Sequence, residues 1–92
     1  MTEEKILTLH PNGKRGRNIS LEKYELIKKT MLDVLKRKEL THAELFAGIA
    51  KKLGTKFEGN VSWYSETVKL DLEMRKIIER MNSKPQKYRL IE

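Results

Sequence analysis

The chain has 92 residues, no cysteine, and 20 Lys and Arg against 13 Asp and Glu, which gives a formal net charge of +7. This length suits one folded domain over residues 1–92 and is too short for two, while the lack of cysteine excludes disulfides, thiolate metal ligands and cysteine nucleophiles. No segment approaches the ~18 consecutive apolar residues of a membrane span, and the first residues hold too short an apolar run for a signal peptide, so we expect a cytoplasmic protein without a membrane partner.

The first predicted element is a short strand over residues 5–9, the stretch KILTL, in which threonine alternates with apolar residues. The following PNG favours a turn because these residues supply a fixed φ and a tolerated left-handed position. Residues 10–18, HPNGKRGRN, are therefore predicted as a basic loop. This loop is not the nucleotide-binding sequence G-x-x-x-x-G-K-[ST], since an arginine follows its second glycine. Two interpretations stay open, a positively charged arm or a solvated connector.

Three amphipathic helices are predicted next, over residues 20–38, 42–53 and 62–75. Ser20 is the expected N-cap of the first helix. Thr41 and Glu44 have the spacing of a capping box at the start of the second helix, and Gly54 ends it. The glycine-containing loop GTKFEGN separates the second helix from the third.

Residues 77–91 are predicted to form a β-hairpin. Its strands are IIERM and QKYRLIE, and NSKP joins them, since a proline cannot donate to a strand ladder. The predicted order is strand, helix, helix, helix, strand, turn, strand. This order indicates an α+β domain that is mainly helical.

With LDLEMRKIIER leading from the third helix into the hairpin, this order resembles the winged helix-turn-helix domain over residues 19–91. The chain is also similar to a small prokaryotic family of winged-helix-like proteins that carries an LHP…GK.G.NI segment and a WY.ETVKLDLE helix. The resemblance implies a three-helix bundle with a C-terminal hairpin wing, in which helices two and three form the helix-turn-helix. It implies no ligand, because winged helices serve DNA binding and protein binding alike.

The sequence departs from the winged-helix pattern in two places. The connection between Leu53 and Ser62 is longer than the short turn of a standard helix-turn-helix. After the third helix, many winged helices carry a glycine where this chain has Arg75 and Lys76. A non-glycine residue is therefore expected to make that helix exit, at a modest conformational cost.

The third helix has two apolar stripes when its residues are placed at 100° per step. The first contains Tyr64, Val68 and Leu72 and is expected to pack on the other helices. The second contains Trp63, Leu70 and Met74. Its cover stays open between the N-terminal strand, the wing and another chain.

A polar face and one acidic residue complete the third helix. The polar face consists of Ser62, Ser65, Glu66, Lys69, Glu73 and Lys76. Asp71 stands between the apolar stripes and needs a charge partner, for which Arg75, one turn further on, is the nearest candidate.

These patterns lead to the hypothesis of a non-enzymatic double-stranded DNA binder of the transcriptional-regulator kind. The expected contacts come from the basic loop, the polar face of helix three and the wing, namely Lys14, Arg15, Arg17, Ser62, Ser65, Lys69, Lys84, Lys87 and Arg89. Acids and bases balance along the third helix, which is evidence against strong DNA binding. The alternative hypothesis is a protein-interaction or self-association module that uses Trp63, Leu70 and Met74.

Few residues suit catalysis or metal binding. His10 and His42 are the histidines, and His42 is expected to be a surface residue. The chain has no Ser-His-Asp order, no His-Glu-x-x-His and no cysteine cluster. We therefore predict no catalytic residue, no metal and no cofactor.

Overall fold

Three helices and five strands form the described part of this α+β chain. The structure is a computed structural model that describes residues 4–9, 15–36, 38–54, 57, 59–82 and 84–91. The elements in chain order are β1 (Lys5–Leu9), β2 (Arg15–Ser20), α1 (Leu21–Leu35), β3 (Leu40–Thr41), α2 (His42–Leu53), α3 (Val61–Met74), β4 (Ile78–Met81) and β5 (Lys87–Leu90).

β1 and β2 form a two-stranded antiparallel sheet. The second half of the predicted basic loop is therefore a strand, and the loop prediction is wrong from residue 15 onward. Thr8 explains the pairing, because its hydroxyl accepts from the Arg17 amide at 2.7 Å and donates to the Arg17 carbonyl at 3.1 Å. Gly16 permits this approach, since a Cβ there would lie 2.1 Å from the Thr8 carbonyl oxygen. Lys14 and the Arg15 side chain lie outside the described residues.

The second sheet has three strands in the order β3-β5-β4, all antiparallel. The β4–β5 hairpin is the predicted one, and Arg80 pairs with Tyr88 across it. Leu40 pairs with Tyr88 on the other side of β5. The two-residue strand β3, immediately before α2, is absent from the predicted elements because so short a segment has no periodicity of its own.

The first two helices begin at the predicted caps. The Ser20 hydroxyl accepts from the Lys23 amide at the start of α1. Both hydrogen bonds of the Thr41–Glu44 capping box are present, and the bounds of α2 are those predicted. α1 ends at Leu35, three residues before its predicted end.

α3 begins one residue earlier than predicted because Asn60 caps it. The Asn60 side-chain oxygen accepts from the Trp63 amide at 2.9 Å. Beyond the C-terminal end, Lys76 has φ of 62°, so a non-glycine residue makes the helix exit as expected. A left-handed non-glycine residue carries a modest conformational cost.

The core lies between the three helices and the inner side of the three-stranded sheet. Each helix contributes fully buried apolar residues, which include Ile27, Met31, Leu45, Ile49, Val68 and Leu72. Ile78 and Tyr88 close the core from the sheet. Across the part of the chain that the structure describes, none of the helices has the length and apolar character needed to cross a membrane.

Candidate interaction surface on the third helix

One face of α3 remains open to solvent and is mostly apolar. Trp63 is 42% exposed, Met74 is 39% exposed, and Leu70 between them is half-buried. Helical geometry places these three positions within about 40° of one another around the helix axis. We call these three residues the α3 surface. Neither the N-terminal strand nor the β4–β5 hairpin fully covers the second apolar stripe of the sequence.

The two small sheets lie on opposite sides of α3. Lys69 contacts Tyr88 of β5, whereas Asp71 accepts a hydrogen bond from the Leu9 amide of β1. Two successive steps along a helix correspond to about 200° of rotation, so Lys69 and Asp71 point in nearly opposite directions. The α3 surface is the strip left open between the two sheets.

Lys69 is buried, and the expectation that it belongs to an exposed polar face is wrong. Its side chain is 2% exposed, and its ammonium group lies 3.2 Å from the Tyr88 hydroxyl and 4.5 Å from the centre of the Tyr88 ring. Glu66 Oε1 is 3.5 Å from the same ammonium group. Strand β5 covers this side of the helix, so Lys69 cannot reach a nucleic acid in this structure.

Ser65 is fully buried, so its predicted exposure is also wrong. Its hydroxyl is a buried polar group without a hydrogen-bond partner among the described residues. Ser62, which sits at the open N-terminal end of α3, is exposed as predicted.

Replacing Ser65 with alanine is expected to raise the free energy of unfolding by about 1–2 kcal/mol. The substitution removes an unsatisfied buried hydroxyl and introduces the best helix former. Chemical denaturation of both proteins measures the difference, with Ser62→Ala as a matched control at an exposed position of the same helix. A Ser65→Ala protein less stable than the parent would show that the hydroxyl has a stabilising role.

Asp71 joins three elements through its buried carboxylate. Its Oδ1 accepts from the Leu9 amide at 2.8 Å, and its Oδ2 accepts from the Tyr24 hydroxyl and from Arg75 Nε, the latter at 2.8 Å. Arg75 is therefore the partner, as expected from the sequence. Burial and the hydrogen bond to Asp71 raise the pKa of Tyr24 well above its ordinary value. This carboxylate attaches β1 and α1 to α3.

The predicted nucleic-acid contacts outside α3 lie on both flanking sheets. Arg17 of β2 and Lys84 before β5 are exposed, and Lys87 is half-buried. Arg89 is exposed but forms ion pairs with Glu79 and, at 3.8 Å, with Glu39. The hydrogen bond to Glu79 raises the pKa of Arg89. The exposed cations therefore flank the α3 surface rather than lie on it.

Two further apolar side chains lie beside α3 and were not selected from the sequence. Leu7 is 53% exposed and Leu9 is 40% exposed on the face of β1 opposite the buried Thr8. The Leu9 amide donates to Asp71, so the end of β1 that carries Leu9 lies next to α3. The Leu-Thr-Leu sequence could have predicted that Leu7 and Leu9 share a face, since residues two apart lie on the same face of a strand.

His42 belongs to no group of potential metal ligands in the described part of the chain. The His42 side chain is 50% exposed, stacks on Phe46 with ring centres 4.0 Å apart, and lies 3.9 Å from Glu66. His10 lies outside the described residues. Among residues 4–9, 15–36, 38–54, 57, 59–82 and 84–91, no three histidine or acidic side chains are grouped so that they could hold a metal ion.

Comparison with known proteins gives a family without an assigned activity. Searches of curated proteins and of solved structures returned no match. A family model described as a family of unknown function, DUF6958, matches residues 5–88, which is most of the chain. On this match, the chain belongs to the DUF6958 family.

Proposed function

We propose that this chain is a non-enzymatic protein-interaction module that binds a partner through the α3 surface. The observation that carries the proposal is the composition of the open face of α3, where Trp63, Leu70 and Met74 are presented to solvent or half-buried. Every residue of α3 is described, and its one cation, Lys69, is buried. Large apolar side chains on an exposed surface, with tryptophan and methionine among them, are typical of protein interfaces.

The proposed scaffold for this module is a winged helix. Three features support it: the succession of α2 and α3, the hairpin that follows α3, and the pairing of β3 with β5 in the order β3-β5-β4. In this arrangement α3 occupies the position of the recognition helix and the β4–β5 hairpin that of the wing. The connection between α2 and α3 spans residues 54–60, longer than a standard helix-turn-helix turn.

The charges around α3 favour a protein partner over a phosphate backbone. The acids Glu66 and Glu73 border the α3 surface, and Arg75, which follows Met74, is paired with the buried Asp71, so these residues present no excess of positive charge to phosphates. Each of the two acids is already paired, Glu66 with Lys69 and Glu73 with Arg80 at 3.1 Å. A partner that covers the α3 surface would therefore bury apolar area without leaving these acids unpaired.

Double-stranded DNA binding is the second candidate function, and the exposed cations of the flanking sheets favour it. Arg17 and Lys84 are exposed on the described surface, Lys87 is half-buried in β5, and the whole chain carries a net charge of +7. Contacts from these residues would reach phosphates and give affinity that falls steeply with salt. Base reading by α3 has little support, because Ser65 and Lys69 are buried.

Site-specific photo-crosslinking tests the first proposal. A photoreactive amino acid replaces Trp63 in one variant and Ala47, an exposed residue of α2, in a matched control. We expect a discrete protein adduct at position 63, absent at position 47 and lost when Leu70→Asp is added. An adduct between two copies of the chain would identify the partner as a homodimer. The absence of any discrete protein adduct at position 63 would contradict the proposal.

A salt-titrated binding assay on mixed-sequence duplexes tests the second candidate. If DNA is bound through the flanking sheets, the double variant Lys84→Glu with Lys87→Glu loses affinity and Trp63→Ala does not. Affinity that is absent at low salt, or indifferent to salt, would exclude DNA binding as the function.

A further inference from the structure

A groove that shares no residue with the α3 surface runs along α1. It encloses about 610 Å³ between α1, the C-terminal end of α2 and the end of β5. Its apolar lining residues, which we call the floor, are Leu26, Leu32 and Leu90, and its cations, which we call the rim, are Lys29, Lys36 and Lys52. Around α1, Lys29 lies between Leu26 and Leu32. We call this the α1 groove.

The floor of the α1 groove offers apolar contact area. Leu26 is 42% exposed, and Leu32 and Leu90 are half-buried. Thr30 also lines the groove, but its hydroxyl donates to the Leu26 carbonyl at 2.8 Å. The Thr30 hydroxyl therefore has its hydrogen-bond partner within α1. A molecule bound to the floor would gain binding free energy mainly by burying apolar surface.

The rim of the α1 groove is positively charged. Its one acidic residue, Asp33, already forms an ion pair with Lys52. The hydrogen bond from Lys52 lowers the pKa of Asp33. The positive charges of Lys52, Lys36 and Lys29 lower it further. All three lysines therefore surround the same carboxylate, and one carboxylate cannot balance three cations.

The spacing of the rim charges selects the kind of occupant. Lys36, the C-cap of α1, follows Lys29 by seven residues, which corresponds to about two helical turns or about 10.5 Å along the axis. A second helix lying beside α1 can present carboxylates at the same repeat and apolar side chains between them. A ligand with a single carboxylate would meet one of these lysines, and a nucleic acid would offer phosphates without covering the leucines.

We propose that the α1 groove is a docking site for an acidic amphipathic helix of a partner protein. The three leucines contact apolar side chains of that helix, and Lys29, Lys36 and Lys52 pair with its carboxylates. This site would give the domain a second contact in addition to the α3 surface.

Nuclear magnetic resonance titration of the labelled full chain tests the docking site. The probe is a synthetic helical peptide with leucines on one face and glutamates beside them, and the matched control peptide has lysine in place of each glutamate. We expect the acidic peptide to perturb the amides of Leu26, Leu32 and Lys52, with affinity that falls as salt is raised. The basic peptide is expected not to bind.

Three variants locate the contact. Leu26→Asp and Lys29→Glu are each expected to weaken binding of the acidic peptide by about tenfold or more, because each places a negative charge in the groove. Leu70→Asp, on the α3 surface, is expected to leave the affinity unchanged. Both Leu26 and Lys29 are exposed residues of α1, and a thermal melt of each variant verifies folding.

The proposal is overturned if the acidic peptide does not bind, if the basic peptide binds equally well, or if the perturbed amides lie on α3. It is also overturned if duplex DNA displaces the peptide and itself binds the Leu26→Asp variant undiminished. The crosslinking at position 63 is measured without the peptide, so the two proposals can fail separately.

Discussion

Replacing Asp71 with alanine is expected to lower the free energy of unfolding by about 3–5 kcal/mol. The carboxylate is fully buried, and its removal leaves the Tyr24 hydroxyl and the Leu9 amide without their acceptor and Arg75 without its ion pair. Stabilities of small domains are about 5–15 kcal/mol, so this single change would remove a large share. β1 would lose its hydrogen bond to α3.

Urea denaturation of the two proteins measures the loss, and hydrogen exchange at the Leu9 amide reports the detachment of β1. Asp33→Ala is a matched control, because Asp33 is the other aspartate of the chain and is also paired with a cation. Its side chain is 54% exposed, so we expect little change on its removal. Equal effects of the two substitutions would show that the buried cluster does not hold the elements together.

The Gly16→Ala substitution is expected to lower the free energy of unfolding by about 2–4 kcal/mol. The new Cβ would lie 2.1 Å from the Thr8 carbonyl oxygen and 2.3 Å from its hydroxyl oxygen. The nearest obstacle is backbone, which cannot rotate away, so β1 and β2 must separate. That separation breaks both hydrogen bonds between Thr8 and Arg17.

Thermal and urea unfolding measure this change, and Asn18→Ala on the same strand is the control. Asn18 is exposed, so its replacement is expected to alter stability by no more than about 0.5 kcal/mol. A Gly16→Ala protein that keeps the parent stability and the protection of the Arg17 amide would rule out this account of the strand pair.

Features encoded within a few consecutive residues could be predicted from the sequence. The capping box of Thr41 and Glu44 gives the start of α2, and Gly54 gives its end, because each involves groups within one helical turn. The β4–β5 hairpin could be predicted for the same reason, since a short turn connects its strands. The Asp71–Arg75 ion pair could also be predicted, because its residues are four apart at the C-terminal end of α3.

Other features depend on residues far apart in the chain. Ser65 and Lys69 belong to the polar face of α3 in sequence, yet both are buried, and β5 packs over Lys69 some 19 positions further along. The α1 groove likewise combines α1 with the end of α2 and with β5. Periodicity along one helix cannot show which neighbour will cover a given face.

The sequence by itself determined the three helices, the N-caps of the first two, the hairpin and the apolar stripe of Trp63, Leu70 and Met74, because local hydrogen bonding and helical period depend on nearby residues. Only the tertiary structure decided which face of α3 stays open. β1 closes one side through Asp71, and β5 closes the other over Lys69. Part of the predicted polar face is therefore covered while the apolar stripe stays open, since burial is set by packing between distant segments.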